Sequence, residues 1–390
     1  MMRFVTAGES HGKCLTGILE GLPAGLRVDV DLVNLQLQRR QAGYGRGGRM
    51  QIERDEVEVT AGVRLGKTLG SPVCFVIRNR DWEHWQAAMS CGPPDAGVNT
   101  RPLTSPRPGH VDLAGALKYR THDARDVLER ASARETAARV AGGAFCRLLL
   151  GEFGIGIGSH VLAVGRERVA SRYERLDSSA ILGLDPTSQV RCADPEVGKQ
   201  MMSLIDRAKK DGDTLGGTVE VVAAGVPPGL GTHTQWDRRL DGRIAQAMMS
   251  IPSAKGVEIG EGVAGASDFG SAVHDGIYYD AEVRRFFRKT NRAGGLEAGI
   301  SNGEDIRVRL HLKPIPTLRK PLPSADLRTK EAHEAAFERS DTCVVPAAGV
   351  VAEAMLALVL ADAFLEKFGG DSVAETRANF DAYVESLRKY

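Results

Sequence analysis

The stretch AAGVVAEAMLALVLADAFL, Ala347 to Leu365, lies between Pro346 and Gly369, a helix start and a helix stop. It is apolar almost all the way round and long enough to cross a bilayer, yet Glu353 and Asp362 sit inside it. A helix with no polar face must be covered on several sides, so this stretch predicts a helix buried between layers and no membrane span. Helical spacing also runs over Asp31 to Gln41, Pro195 to Lys210 and Arg238 to Met249. It runs as well over Arg125 to Leu150, where Val127, Leu128, Ala131, Ala138, Ala141, Phe145 and Leu148 share one side. Asp194 and Gly212 bracket the Pro195 helix. Strand candidates lie at Val57 to Val63, Val73 to Arg78, Thr218 to Ala224 and Ile306 to Leu312. Because strands and helices do not alternate regularly, an α+β arrangement is expected and not a doubly wound parallel sheet.

With 42% hydrophobic residues the chain of 390 can bury a real core, as one large domain or two or three average ones. No repeat or low-complexity linker marks a division. Lys and Arg number 51 against 50 Asp and Glu, so clusters of arginine are local features and a nucleic-acid partner is disfavoured. The six cysteines show neither CxxC pairs nor metal-ligand spacing, which predicts free thiols, no metal and a reducing cytoplasm. The start, MMRFVTAGESHGK, lacks the apolar run of a signal peptide.

Three segments carry the chemistry: GESHGK at Gly8 to Lys13, RRQAGYGRGGR at Arg39 to Arg49, and RPGHVD at Arg107 to Asp112. With Arg134 they gather the cations Lys13, Arg39, Arg40, Arg46, Arg49 and Arg107 around His11 and His110, two groups that can move protons near neutral pH. Such a set suits a small polyanion undergoing acid–base chemistry. The arginine loop also reads as a solvated or RNA-binding segment. Its glycines, however, let guanidinium forks approach a compact carboxylate or phosphate from several directions. Each histidine has a structural alternative as a hydrogen-bonded residue. Both nevertheless stand in glycine-flanked loops within a few residues of charges that could tune them, Glu9 and Lys13 for one, Arg107 and Asp112 for the other. On the Arg125 helix, Arg130 and Arg134 are four apart and should share a face, with Ser132 a short way round and Glu129 and Glu135 available to pair with them. ERSDTCVVP leads into the buried helix, which makes Arg339 and Asp341 candidates for an anion site.

Several glycine patterns mislead. GYGRGG at Gly43 to Gly48 and GEGVAG at Gly260 to Gly265 both satisfy GxGxxG, but neither has the strand–turn–helix context of a dinucleotide fold. GESHGK is one residue short of a phosphate loop, and Cys14 stands where the metal-binding hydroxyl would be.

Taken in order, GESHGK, RRQAGYGRGGRM, RPGHVDLAGALKY, RASARETAARVAGGA, SIPSAKGVEIGEG, GGLEAGISNGEDI, LKPIPT and ERSDTCVVPAAGVVAEAML resemble the chorismate synthase family from Phe4 to about Gly370. The resemblance implies a single domain over residues 1–390, a β-α-β sandwich with long central helices between two mainly antiparallel sheets, and a homotetramer. It implies 1,4-anti-elimination of phosphate from 5-enolpyruvylshikimate 3-phosphate, with reduced FMN used catalytically: the flavin lends an electron, phosphate leaves, and the flavin recovers the electron with a hydrogen. It further implies that Arg40, Arg46, Arg49, Arg107 and Arg134 hold the substrate, and that His11 attends the leaving phosphate. His110 would supply a proton near flavin N1 and Asp341 would relieve N5 of one. Flavin contacts would come from Arg130, Ala131, Ser132, Ser253, Ala254, Ala298, Lys313, Pro314, Ile315, Pro316, Thr317 and Arg339. Whether NADPH reduces the flavin in this chain, with Arg40 and Arg46 as its contacts, stays open. Ala131 and Ser253 depart from the Ser and Asn common in the family, which removes one hydroxyl and shortens one side chain. The rival classes are an oxidoreductase consuming NAD(P)H and an RNA-binding protein whose affinity falls steeply with salt.

Overall fold

In the computed structural model, which describes residues 2–47, 53–338 and 340–390, the apolar stretch forms a helix, Val345–Phe368, that is buried along most of its length. Two larger antiparallel sheets pack against the helices. The first joins β1 (Arg3–Ala7), β2 (Cys14–Glu20), β3 (Val57–Ala61) and β4 (Val73–Arg78) in the order β1-β2-β4-β3. The second joins β5 (Gly156–Val164), β6 (Glu167–Arg168), β7 (Gly217–Ala224), β8 (Ala254–Ile259) and β9 (Ile306–Leu312) in the order β8-β9-β7-β5-β6. The longer helices are α1 (Val30–Gln41), α2 (Asp112–Tyr119), α3 (Arg125–Ala131), α4 (Thr136–Glu152), α5 (Pro195–Lys210), α6 (Leu240–Met249), α7 (Val345–Phe368) and α8 (Val373–Arg388). The fold is mixed α+β.

Strand alternation explains which faces are covered. In β4, Val73, Phe75 and Ile77 point inward and are fully buried, while their neighbours are partly exposed. Helix α4 packs on this sheet through β2 and on α7, and α7 packs in turn on β5 and β7. β5 is buried on both faces: Ser159 lies against α7, whereas Gly156 and Gly158 lie under Leu182. Helices α4 and α7 approach closely because Gly143 has no side chain; a Cβ there would sit 2.5 Å from the Cα of Ala354.

Pro346 and Gly369 bound α7 where the sequence puts its ends, and Asp194 caps α5 by accepting from the backbone N–H of Glu196 and Val197. The helix expected from Arg125 to Leu150 is instead broken. Ser132 adopts an extended conformation (φ −61°, ψ 141°), a tight turn covers Ala133–Glu135, and α4 starts afresh at Thr136. Arg130 and Arg134 therefore do not share a face. Arg130 turns outward to the carbonyls of Thr6 and Gly8, and Arg134 is buried.

Glu353, the buried acid of α7, explains another departure. Its carboxylate accepts from Arg39 at 2.7 and 2.9 Å, Arg147 at 2.6 Å, Arg191 at 3.1 Å and Ser159 Oγ at 2.6 Å. Arg39 thus faces the helical core and not the other cationic residues of its segment. Burial alone would raise the pKa of Glu353, but the three guanidiniums outweigh it and take it down to about 2.

Two stability outcomes follow from these contacts. Glu353→Ala leaves three guanidiniums without their carboxylate and should cost about 3–5 kcal/mol in denaturant unfolding at neutral pH. Since the folded-state pKa is depressed, the ionised carboxylate stabilises fully above its ordinary value near 4.5 and progressively less as pH falls toward about 2; the gap between wild type and variant should narrow across that window. Gly143→Val forces α4 off α7 and should cost about 1–3 kcal/mol in the same measurement.

Candidate active site

The loop between β1 and β2 is shaped by Gly8, whose φ of 108° suits glycine and where a Cβ would lie 2.4 Å from the carbonyl oxygen of Cys14. The loop docks on α3: Ser10 N donates to the Glu129 carbonyl and His11 N to Glu129 Oε2, each at 2.8 Å. His11 Nδ1 lies 2.9 Å from Glu129 Oε1, and the ring stacks on Trp85 with centroids 3.9 Å apart. Arg125 donates to Glu129 Oε1 at 3.1 Å and to Glu338 at 2.7 Å. Burial would raise the pKa of Glu129, but the hydrogen bonds from His11 and the charge of Arg125 hold it below the ordinary carboxylate value.

His110 is held by the start of α2. Its Nδ1 lies 2.5 Å from Oδ1 of Asp112, the first residue of that helix and fully buried. Asp112 also accepts from Arg107 Nε at 2.7 Å, Nη2 at 3.0 Å and backbone N at 3.0 Å, while Arg107 Nη1 donates to Thr317 Oγ1 at 2.9 Å. Burial works against the Asp112 carboxylate, yet His110 and Arg107 keep it far below its usual range. A carboxylate at a helix N-terminus is further favoured by the helix dipole.

A third centre is built on Asp55. Asp55 pairs with Arg134, and Arg40 Nη1 lies 3.4 Å from its Oδ2. Arg40 also donates to Thr136 Oγ1 at 2.9 Å and to the Ala133 carbonyl at 2.8 Å; Arg134 Nε donates to Asn79 Oδ1 at 2.8 Å. Arg134 Nη2 is buried without a hydrogen-bond acceptor among the described residues, 3.7 Å from Glu53. Burial, offset by Asp55 and reinforced by Arg46 and Arg134, draws the pKa of Arg40 down to about 9, so it stays charged at neutral pH. Arg46 donates to Asp341 Oδ2 at 2.7 Å and Gly47 N to its Oδ1 at 2.6 Å.

Residues from all three centres line one cavity of about 430 Å³, within the range of small-molecule sites, with Glu129, Asp112 and Asp55 standing behind its wall. His11, His110, Asp341, Arg40, Arg46, Arg107 and Arg134 line it, as do Ala131, Ser132, Ser253, Lys313, Ile315, Pro316 and Thr317. Of the other residues singled out in the sequence, Arg130, Ala254, Ala298 and Pro314 are not in its wall: Arg130 bonds Thr6 and Gly8, and Ala298 sits in the turn between Leu296–Glu297 and Ile300–Ser301. Arg49 and Arg339 lie outside the described residues. Lys13 does not line the cavity either.

Sequence reasoning missed Trp85, Asp55, Asn79 and Arg125, and it paired Glu129 with the wrong arginines. Only the spacing of Arg125 and Glu129, four apart on one helix, carried a local signal for any of them.

The residues present fit a flat ring beside a polyanion. Part of the lining is apolar, from Ala131, Ala133, Pro316, Val344, Ala347, Ala348 and Val351, and part is cationic, from Arg40, Arg46, Arg107, Arg134 and Lys313. Lys313 has its pKa lowered by burial and then by Lys255, so an anionic group near the pair would be welcomed. Among the described residues there is no His, Cys, Asp and Glu cluster suited to a metal.

Comparison with known proteins gives one answer. The family model for chorismate synthase matches residues 2–365. The chain is 55% identical over 390 residues to chorismate synthase of Solibacter usitatus, covering all of both chains. It is 56% identical over 388 residues to that of Desulforudis audaxviator, covering 100% of this chain and 98% of the relative. A crystal structure of chorismate synthase superposes with a TM-score of 0.80 at 44% identity, covering 100% of this chain and 99% of that one.

Asp55 generates the test of the site's electrostatics. Asp55→Ala takes the nearest carboxylate from two buried guanidiniums, leaving Glu53 3.7 Å from Arg134, and should lower unfolding free energy by about 3–5 kcal/mol, with millimolar inorganic phosphate restoring part of the loss.

Proposed function

Because this chain belongs to the chorismate synthase family and so forms chorismate in the shikimate pathway, we propose that its cavity holds 5-enolpyruvylshikimate 3-phosphate against reduced FMN. The reaction is a carbon–oxygen lyase step, a 1,4-anti-elimination of phosphate with no net redox change. The observation that carries the assignment of the site is the convergence of Arg40, Arg46, Arg107, Arg134 and Lys313 on one cavity with two imidazoles, each tied at Nδ1 to a buried carboxylate.

The substrate brings two carboxylates and a phosphate. Arg40, Arg46, Arg107 and Arg134, with Arg49, neutralise them; each guanidinium has five N–H groups, so donors remain after Asp55, Asp112 and Asp341 have taken their share. His11 touches the leaving phosphate and His110 holds a proton at Nε2 for flavin N1. Asp341 would take up the proton that N5 of a bound flavin loses; its two oxygens already accept from Arg46 and Gly47 and retain lone pairs for a third partner. Reduced FMN, when bound, supplies a transient electron that an ordinary side-chain base cannot, because the hydrogen lost is not acidic. Ala131, Ser132, Ser253, Lys313, Ile315, Pro316 and Thr317 would form its bed, and Pro314, Ala254, Ala298 and Arg130, which lie outside that wall, complete the proposed set together with Arg339. Arg40 and Arg46 are the contacts for NADPH in the reading where this chain reduces its own flavin.

The same reading takes residues 1–390 as one domain in a β-α-β sandwich, acting in the cytoplasm as a homotetramer. The hairpin Ile277–Asp280 and Arg285–Arg288 supports assembly: Ile277, Tyr279 and Phe286, with Phe269 nearby in sequence, are large apolar side chains left exposed.

The deciding assay supplies the enolpyruvyl substrate and chemically reduced FMN without oxygen. Chorismate absorbance and free phosphate should rise together while the flavin stays reduced. His110→Ala should slow turnover by roughly 10²- to 10⁴-fold, the usual worth of a placed proton-transfer group, with the calorimetric Kd for substrate little changed. Wild-type turnover in that variant removes His110 from the chemistry.

A further inference from the structure

Glu129 receives no role in the elimination described above, although it is buried and stands directly behind His11. All three of its close partners are donors. His11 N reaches Oε2 at 2.8 Å, His11 Nδ1 lies 2.9 Å from Oε1 and 3.1 Å from Oε2, and Arg125 Nη1 reaches Oε1 at 3.1 Å. An ionised carboxylate only accepts, so the ring nitrogen facing it must carry a hydrogen. Nε2 makes no hydrogen bond among the described residues, and the ring it belongs to lines the cavity. Trp85, stacked at an interplanar angle of 22°, fixes the plane of the imidazole, and Arg125, itself anchored on Glu338, fixes the carboxylate.

We propose that Glu129 is a positioning residue for the elimination, holding His11 as the Nδ1–H form with Nε2 directed at the leaving phosphate. Proton exchange with the phosphate oxygen then occurs at Nε2 alone: the imidazolium gives its Nε2 proton to that oxygen, and the neutral ring left behind keeps its Nδ1–H bond to Glu129. Glutamine at 129 cannot do the same. It offers one acceptor oxygen and one NH2 to three donors, so an amide hydrogen confronts either the His11 backbone N–H or Nδ1; the second arrangement selects the Nε2–H form, whose Nε2 has no lone pair to take a proton back and which could give up its only proton only by becoming an imidazolate.

The inference rests on the assignment of His11 to the phosphate, and the experiment separates the two. Protein labelled with 15N-histidine, alone and as the His11→Ala variant, identifies the His11 signals by difference in magic-angle-spinning NMR. Wild-type, ligand-free protein should show Nδ1 protonated; Glu129→Gln should shift the population toward Nε2–H. In the anaerobic assay Glu129→Gln should lower kcat on the order of 10²-fold with little change in KM. An unprotonated Nδ1 in wild type overturns the role of Glu129 while leaving that of His11 standing. A Glu129→Gln enzyme with wild-type kcat does the same. If His11→Ala itself turns over at the wild-type rate, the assignment of His11 fails, and the inference with it.

Discussion

A buried guanidinium persists only with a carboxylate beside it, and Asp55 is the carboxylate on which the cationic cavity depends. It is almost fully buried, pairs with Arg134 and lies near Arg40, and these two arginines would otherwise repel each other and Arg46 in a poorly hydrated space. With Asp55 in place the cations can be held before a ligand arrives, so little reorganisation is needed when an anion comes in. The positive charge left after internal pairing is what a triply acidic substrate would neutralise.

The two imidazoles are governed by one device built in two ways. His110 and Asp112 are two residues apart, at the entry to α2, so local chain geometry makes the pair. His11 and Glu129 are brought together across 118 residues by the docking of the β1–β2 loop on α3. The first arrangement could be suspected from RPGHVD alone. The second could not, because nothing near His11 in the chain announces its partner.

That contrast runs through the whole molecule. α7 was legible because Pro346, Gly369 and an unbroken apolar run are local signals, and β4 and β9 because alternation is local too. The break at Ser132 was not, since the apolar spacing continues through it and only tertiary contacts, such as Arg40 donating to the Ala133 carbonyl, reveal the extended backbone. Fourteen residues of the cavity wall were named from motifs and the family resemblance together. Arg39 was misplaced because neighbouring arginines on α1 look alike in sequence, yet one helical step of about 100° sends Arg39 to Glu353 and Arg40 to Asp55. Trp85 and Asp55 carry no motif, and only their tertiary contacts, with His11 and with Arg134 and Arg40, give them their importance.

Glu353 has a consequence beyond neutralising its arginines. Its carboxylate is gripped from three directions, by Arg39 on α1, Arg147 on α4 and Arg191 beside β5. Along its buried, apolar part α7 has few directional contacts, and moving it one turn, about 5.4 Å, would pull the acid out of all three grips. The cluster therefore works as an indexing pin. It sets the height at which Ala347, Ala348 and Val351, less than two turns away, meet the reaction chamber.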